Sequence, residues 1–261
     1  MIMQASLSPF KRLAPACSQA LASFSSSSAP GFVEVREYVL KPEGVTDYLR
    51  LTEEYADVRK ELLPFLGMFS CDIGALNKVT HFYSYKDYDE RDQVRARVAQ
   101  DARWKRYVNE GRKHVVHQTS KIMMEALPIY QALNLPSTTH FQTPPRLSDA
   151  APKVMYEMRN YQLHPGYGSV PKLIDAFAKG LPAKLEADPG NGNLAFFGYV
   201  DVGTLNNVVE LWRYESAQAC IRARQASRTV PAWRETIGAV TPGVQHFTSE
   251  FLRPLPLSKW Q

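Results

Sequence analysis

A histidine and a glutamate occupy equivalent positions in two related segments of the chain, His81 in the segment HFY and Glu210 in the segment ELW. Imidazole titrates near neutral pH and burial raises the pKa of a carboxyl group, so the two side chains in one cavity would support general acid–base chemistry. The alternative is that each polar side chain lies at a strand end and contacts solvent or a cross-strand neighbour. The sequence leaves both interpretations open.

The strands around this pair carry aromatic and arginine side chains at alternate positions. The predicted pocket is lined by Arg36, Tyr38, His81, Tyr83, Tyr85, Arg159, Tyr161, Glu210, Trp212 and Tyr214. Arg36 and Arg159 would either pair with nearby glutamates or bind an anion. No glycine-rich phosphate loop, Ser-His-Asp order or cluster of histidine ligands occurs. We therefore expect no catalytic residue, no metal and no cofactor.

Four further residues stand at matching places of the two segments. His117 and His246 are each followed by x-Thr-Ser, which favours a structural hydrogen-bond role over a unique active site. Trp104 and Trp233 each follow the second predicted helix of their copy, and a tryptophan there is typical of a large core residue. The alternative for each tryptophan is the aromatic wall of a ligand pocket.

These positions follow an internal duplication. Glu34 to Pro42 and Glu157 to Pro165 share five of nine residues at a shift of 123 positions. The shift then becomes 129, and 12 of the 52 residues from Asp72 to Met123 are identical to their counterparts. A repeat of this length predicts two copies of one supersecondary unit.

Each copy has the order of elements of a ferredoxin-like unit, βαββαβ. An alternating strand ends at Pro42 or Pro165, an amphipathic helix follows, and two strands are joined by an Asp-x-Gly-x-Leu-Asn turn. A second helix and a last strand close the copy. A single sheet of this kind leaves one face bare, so we expect the two sheets to pack face to face within the chain as an α+β barrel.

Strand alternation assigns the two faces of each sheet. We expect the helices to face Thr80, Phe82, Val209 and Leu211. We expect the ten pocket residues, with Val79 and Val208, to lie between the sheets.

Composition divides the chain into four segments. Residues 1–31 carry no Asp or Glu and are rich in serine, which predicts a cleaved import leader for mitochondria, with the plastid as the alternative. Residues 32–127 and 154–255 are the two repeats. Residues 128–153 hold five prolines and form a predicted linker, with one helical turn near its start.

The stretch Gly-x-Leu-Asn-x-Val-x-[His/Glu]-[Phe/Leu]-[Tyr/Trp]-x-Tyr, followed by an arginine-bearing helix and Trp104 or Trp233, resembles the NIPSNAP family. The resemblance covers about residues 32–253. It implies a tandem dimeric α+β barrel and a mitochondrial protein, usually of the matrix. It also implies association with other proteins in mitochondrial quality control or vesicle transport, without an established catalytic activity.

The charge balance limits the partners. With 31 basic and 26 acidic residues the net charge is +5, which does not demand nucleic-acid binding. The basic stretch from Arg91 to Lys113 is expected to make at most peripheral contact with acidic lipid. The remaining expected partners are mitochondrial proteins and a second copy of the chain.

Two classes of function compete for this fold. One is a non-enzymatic interaction protein of mitochondria, and the other is a small-molecule or haem-binding, monooxygenase-like enzyme. The second needs an open cavity of about 300 Å³ or more with converging polar groups. Aromatic residues make up 11% of the chain and concentrate on the expected inward faces. The interior is therefore predicted to be filled, which favours the interaction protein.

Overall fold

The computed structural model describes residues 31–144 and 153–261, which form two βαββαβ repeats. The strands are β1 Phe32–Leu40, β2 Phe65–Ile73, β3 Lys78–Tyr85, β4 Val115–Glu125, β5 Met155–Leu163, β6 Asn193–Val202, β7 Asn207–Tyr214 and β8 Val244–Pro254. The helices are α1 Val45–Glu54, α2 Ala56–Leu62, α3 Tyr88–Val98, α4 Ala102–Arg112, α5 Leu127–Ala132, α6 Ser169–Glu186, α7 Ala217–Ser227 and α8 Pro231–Val240. The expected leader, apart from Gly31, and residues 145–152 of the expected linker lie outside the described residues.

The duplicated turn residues hold the strand pairs β2–β3 and β6–β7. Gly74 and Gly203 have φ of 129° and 133°, and Asn77 and Asn206 have φ of 60° and 55°. Glycine and asparagine tolerate positive φ better than other residues, which explains why Asp-x-Gly-x-Leu-Asn occurs at both turns. The predicted hairpins are confirmed.

Equivalent side chains also begin the helices that follow β3 and β7. The Asp87 carboxylate accepts a hydrogen bond of 2.8 Å from the backbone N–H of Glu90 at the start of α3. The Ser216 hydroxyl accepts one of 3.1 Å from Ala219 at the start of α7. Each satisfies an N–H group that the helix itself leaves unpaired.

The eight strands close into one antiparallel barrel in the order β1-β3-β2-β8-β5-β7-β6-β4, with β4 pairing β1. Within each repeat the order is that of a ferredoxin-like sheet. The repeats join at both edges, through β2–β8 and β4–β6. The predicted intrachain α+β barrel is confirmed, and hydrogen bonds at the sheet edges, besides packing, hold its halves together.

Apolar side chains from both repeats fill the barrel interior. The cluster includes Val35, Phe69, Phe82, Tyr156, Met158, Phe196, Val209, Leu211 and Trp260, each at most 2% exposed. An eight-stranded barrel is just wide enough for side chains to fill it. The filled interior agrees with the expectation, but different residues fill it.

The predicted facing of the strands is wrong. Phe82, Val209 and Leu211 lie inside the barrel, whereas Tyr83 and Trp212 lie outside it, in clusters that include helical residues of their own repeat. The physical reason is that charged and polar groups on these strands need partners, and helix side chains supply them only on the outer face. The more apolar face of each strand therefore turns inward.

The helices cover the outer surface. On α6 the residues Leu173, Ile174, Phe177 and Leu181 are buried at helical spacing against β5, β6 and β7, as the sequence predicts. None of the described helices is both long and apolar enough to span a lipid bilayer.

Candidate functional site

A cavity of about 340 Å³ lies between the outer face of the first repeat's sheet and its helices. We call it the first-repeat cavity. Its polar and aromatic lining consists of Arg36, Tyr38, Tyr48, Arg59, His81, Tyr83, Arg95, Trp104, Lys105, Tyr107, Asn109, Arg112 and Gln118. Strands β1, β3 and β4 form its floor, and helices α1 to α4 form its walls.

Arg59 on α2 is the central charged group of this cavity and is only 2% exposed. Its guanidinium donates hydrogen bonds to the hydroxyls of Tyr83 and of Tyr107, the latter at 2.5 Å. Its plane lies over the Trp104 ring, 5.1 Å from the centroid. None of the ion pairs among the described residues involves Arg59, so its charge is compensated only by neutral dipoles and aromatic faces.

His81 on β3 is held next to Arg59 and is 1% exposed. Its Nδ1 lies 3.3 Å from the Tyr83 hydroxyl and 3.5 Å from Nη1 of Arg59. Because a guanidinium can only donate, we assign Nδ1 as the acceptor and the proton to Nε2. Within the described residues Nε2 has no hydrogen-bond partner. Burial, then Arg59 and Arg36, hold the pKa of His81 well below its ordinary value, so the ring is a neutral donor.

The charge of the first-repeat cavity is one-sided. Five cations line it, and no described lining residue is a carboxylate; the cations are Arg36, Arg59, Arg95, Lys105 and Arg112. Glu34 lies 3.8 Å from Arg36 Nε, but its shorter contacts are with Arg91 at 3.1 Å and with the Ser120 hydroxyl at 2.7 Å. A concave site of excess positive charge attracts anions, and burial strengthens the attraction.

The neutral state of His81 predicts a pH dependence of folding. The unfolded chain takes up a proton at this histidine below about pH 6.5, whereas the folded chain does not. As the pH is lowered below about 6.5, the free energy of unfolding therefore decreases, by at most about 1.4 kcal/mol per pH unit. We expect His81→Gln to remove this contribution in urea unfolding between pH 7.5 and 5.5.

The control for this measurement is the exposed His117, whose replacement by Gln should leave the pH dependence close to that of the parent chain. If the parent chain and the His81→Gln variant lose stability in parallel on acidification, the neutral assignment of His81 is wrong.

The second repeat has a corresponding cavity of about 420 Å³, which we call the second-repeat cavity. Beneath it, Glu210 accepts hydrogen bonds from Trp212 Nε1 at 2.6 Å, from Arg159 at 3.2 Å and from the Tyr161 hydroxyl. Lys184 on α6 takes the place that Arg59 has in the first repeat. Its Nζ lies 4.5 Å and 4.9 Å from the ring centroids of Trp212 and Trp233.

The NIPSNAP family model matches residues 33–127 and 156–259, one segment in each repeat. The chain belongs to the NIPSNAP family. Human NipSnap homolog 3A is 26% identical over 221 residues, which cover 84% of this chain and 80% of that protein.

Two solved structures share the fold of this NIPSNAP chain. A Lactobacillus acidophilus protein provisionally described as a monooxygenase has a TM-score of 0.57 at 11% identity and covers 86% of this chain and 94% of its own. An anthrone oxidase-like protein has a TM-score of 0.54 at 11% identity, over 86% of this chain and 91% of its own. At this identity the likeness shows the α+β barrel alone.

The NIPSNAP chain distributes the ten predicted pocket residues over separate places outside the barrel. Arg36, Tyr38, His81 and Tyr83 line the first-repeat cavity, and Arg159, Tyr161 and Tyr214 line the second. Glu210 and Trp212 lie beneath the second cavity, and Tyr85 packs apart from both, against Phe32. The predicted inter-sheet position of these residues is therefore wrong.

The predicted pairing of His81 with Glu210 in one cavity is also wrong. His81 is on β3 and Glu210 on β7, which three strands separate in the barrel order. Each points outward toward the helices of its own repeat. His117 and His246 are exposed on β4 and β8, away from both sets of buried partners.

Helices supply the functional residues that the sequence reasoning missed, namely Arg59, Tyr107 and Lys184. The sequence does indicate that Lys184 is buried, because it follows Leu181 by three positions on the apolar face of α6. A cation on a buried helix face needs a partner or a ligand. Arg59 lies on the short helix α2, whose polar sequence gave no such indication.

The basic stretch of α3 and α4 serves contacts within the chain. Arg91 pairs with Glu34, and Arg103 pairs with Asp101 at 2.8 Å and with Glu61 at 2.9 Å. Lys105 and Arg112 line the first-repeat cavity. Peripheral membrane contact by this stretch stays a prediction.

Proposed function

We propose that this NIPSNAP protein binds a small organic anion in the first-repeat cavity. The observation that carries the proposal is a cavity of about 340 Å³ lined by five cations, with no carboxylate among the described lining residues. Arg59 supports it, since this buried cation has only neutral partners. An anion would supply the missing counter-charge.

The lining also favours a flat ligand. Trp104 and Tyr107 lie 5.0 Å apart between ring centroids on α4, and Tyr38 lies 4.7 Å from His81 on the floor. Aromatic faces suit a planar apolar body, while Arg36 and Arg59 suit a carboxylate. The neutral Nε2–H of His81 is a further donor for a ligand oxygen.

The structural likeness to a protein described as a monooxygenase and to an anthrone oxidase-like protein supports a small molecule as the ligand. It gives no reaction to this chain. We therefore propose ligand binding and assign no catalytic step to His81 or to the tyrosines.

A matched pair of ligands tests the proposal. We expect 2-naphthoate to bind in calorimetry and to raise the melting temperature, whereas 2-naphthamide, equal in shape but uncharged, does neither. The double variant Arg36→Gln/Arg95→Gln should lose the response, and the exposed Arg222→Gln should keep it. Equal binding of the acid and the amide would refute an anion site. Equal binding of 2-naphthoate by the parent chain, the double variant and Arg222→Gln would refute it as well.

We propose in addition that residues 1–33 direct the chain to mitochondria. The acid-free, serine-rich composition of this segment supports the proposal. A fusion of residues 1–33 to a fluorescent protein should accumulate in mitochondria and be shortened by cleavage. Diffuse cytosolic fluorescence, or import into plastids alone, would contradict it.

Association with other mitochondrial proteins is the second candidate function. Its support is a pair of exposed apolar side chains at equivalent turns of the two repeats. Ile73 and Leu76 are 59% and 64% exposed, and Val202 and Leu205 are 52% and 58% exposed. Cross-linkers placed at Leu76 and Leu205 test this role inside the organelle. Cross-links to other proteins are expected at both positions, and a chain that acts alone would give none.

A further inference from the structure

The second-repeat cavity contains a lysine whose amine has no conventional partner. Lys184 is 7% exposed, and this burial is the largest influence on its pKa. Among the described residues none forms a hydrogen bond or an ion pair with its Nζ, which instead lies between the faces of Trp212 and Trp233. Most buried ammonium groups are paired, so this amine is exceptional.

The position of Nζ is fixed from several sides. Glu210 accepts a hydrogen bond from Trp212 Nε1 at 2.6 Å, which orients the first indole. The second indole packs at 5.2 Å against Phe177, another buried residue of α6. Lys184 therefore projects from a rigid helix between two immobilised rings, at the wall of a cavity of about 420 Å³. A functional group held in this way is preorganised.

Burial of Lys184 favours its uncharged amine over the ammonium form. Burial is the largest influence and lowers the pKa of Lys184, and the charge of Arg159 lowers it further. The carboxylates of Glu210, Glu157 and Asp188 act in the opposite direction without reversing the shift. The indole faces, like these carboxylates, favour the ammonium form. The net direction is a lowered pKa, which increases the share of neutral, nucleophilic amine near pH 7.

The other residues that line the cavity indicate which kind of molecule would bind next to this amine. Trp233, Ile237 and Val240 form an apolar wall. Arg224 and Arg228 line the same cavity, as does the carboxylate of Glu157. Arg224 pairs with Glu157 at 2.6 Å, whereas Arg228 forms no ion pair among the described residues and is the cation that remains for an anionic ligand. The lining thus fits a compact apolar body that carries a carboxylate.

We propose that Lys184 is the nucleophile of a carbonyl-binding site, which captures a small carboxylate-bearing aldehyde or ketone as an imine. The Nζ lone pair attacks the carbonyl carbon to form the C–N bond, and the carbonyl π electrons move to oxygen. Both amine protons leave with that oxygen as water, and the C=N bond remains. The step needs no oxidant or reductant, and water reverses it.

This inference rests on the second-repeat cavity alone, so the proposed anion site of the first repeat can fail without affecting it. The first repeat has Arg59 at the corresponding place, and a guanidinium does not form such an imine. We therefore expect carbonyl capture in the second repeat only.

Reductive trapping tests the inference. The full chain is incubated with 4-carboxybenzaldehyde and cyanoborohydride, which reduces the imine to a stable amine, and the adducts are mapped by peptide mass spectrometry. We expect Lys184 to be modified at least about tenfold faster than Lys179, an exposed lysine of the same helix. In urea-unfolded chain the two lysines should react at similar rates.

Matched variants complete the test. Lys184→Arg keeps a cation between the indoles and should lose the fast adduct, while Lys179→Arg should retain it. The methyl ester of the probe should react more slowly than the acid, because it lacks the charge that the arginines attract. Modification of Lys184 no faster than that of Lys179, or equal rates for acid and ester, would overturn the proposal.

Discussion

Replacing Arg59 by methionine is expected to weaken 2-naphthoate binding at least about 100-fold, equivalent to about 2.7 kcal/mol, without a matching loss of stability. Hydrogen bonds from a charged donor contribute about 1.5–3 kcal/mol each, so loss of Arg59 alone accounts for an effect of this size. Calorimetric titration of the parent chain and the variant measures it.

In urea unfolding, the free energy of unfolding of the same variant should either increase or decrease by less than about 2 kcal/mol. Burying an arginine without a carboxylate partner costs several kcal/mol, and methionine of similar length removes that cost. The loss of hydrogen bonds to Tyr83 and Tyr107 opposes the gain. A variant that binds normally, or one that unfolds at once, would show that Arg59 is a structural residue instead.

Replacing Trp260 by alanine is expected to lower the free energy of unfolding by about 3–5 kcal/mol. This side chain is 2% exposed and belongs to the barrel interior. Its ring centroid lies 5.5 Å from that of Phe82, 5.9 Å from that of Phe141 and 6.2 Å from that of Phe69. Its removal leaves a cavity that these rings cannot close.

The neighbouring Lys259 is the matched control, since it is exposed and its replacement by alanine should change stability by less than about 0.5 kcal/mol. Where Trp260→Ala is still folded, it should bind 2-naphthoate with unchanged affinity, because the first-repeat cavity lies outside the barrel. Equal effects of the two substitutions on stability would contradict the assignment of Trp260 to the interior.

Local features of the fold were predictable because they depend on short stretches of sequence. The turns at Gly74 and Gly203 follow from the φ angles that glycine and asparagine tolerate, and the helix α6 follows from its apolar spacing. The duplication added the long-range information, since two bare sheets in one chain must cover each other.

The facing of the strands was not predictable from alternation alone, because alternation separates two faces without saying which is inside. Aromatic residues such as Tyr83 and Trp212 suggested an aromatic interior. The decisive property was charge, since His81 and Glu210 share a face with these aromatics and need partners from helices. The polar groups, and not the aromatic residues, therefore indicate which face of each strand is the outer one.

The sequence predicts the strand residues of each site but not the helix residues. Arg36 and His81 are predictable as site residues because they lie at alternate positions of strands whose register follows from the repeat. Arg59 and Lys184 come from helices, and their positions over the sheet depend on tertiary packing that no local pattern encodes. The two cations occupy equivalent places, yet one has tyrosine partners and the other has indole faces. The duplicated cavities have therefore diverged in chemistry.

Photo-crosslinking with 4-benzoylbenzoate, an anionic probe, tests most directly whether an organic anion binds between the sheet and the helices of the first repeat. We expect saturable adducts on the α4 segment that contains Trp104 and Tyr107, suppressed by 2-naphthoate and absent in Arg59→Met. Adducts on residues of the barrel interior, or labelling that 2-naphthoate does not suppress, would contradict it.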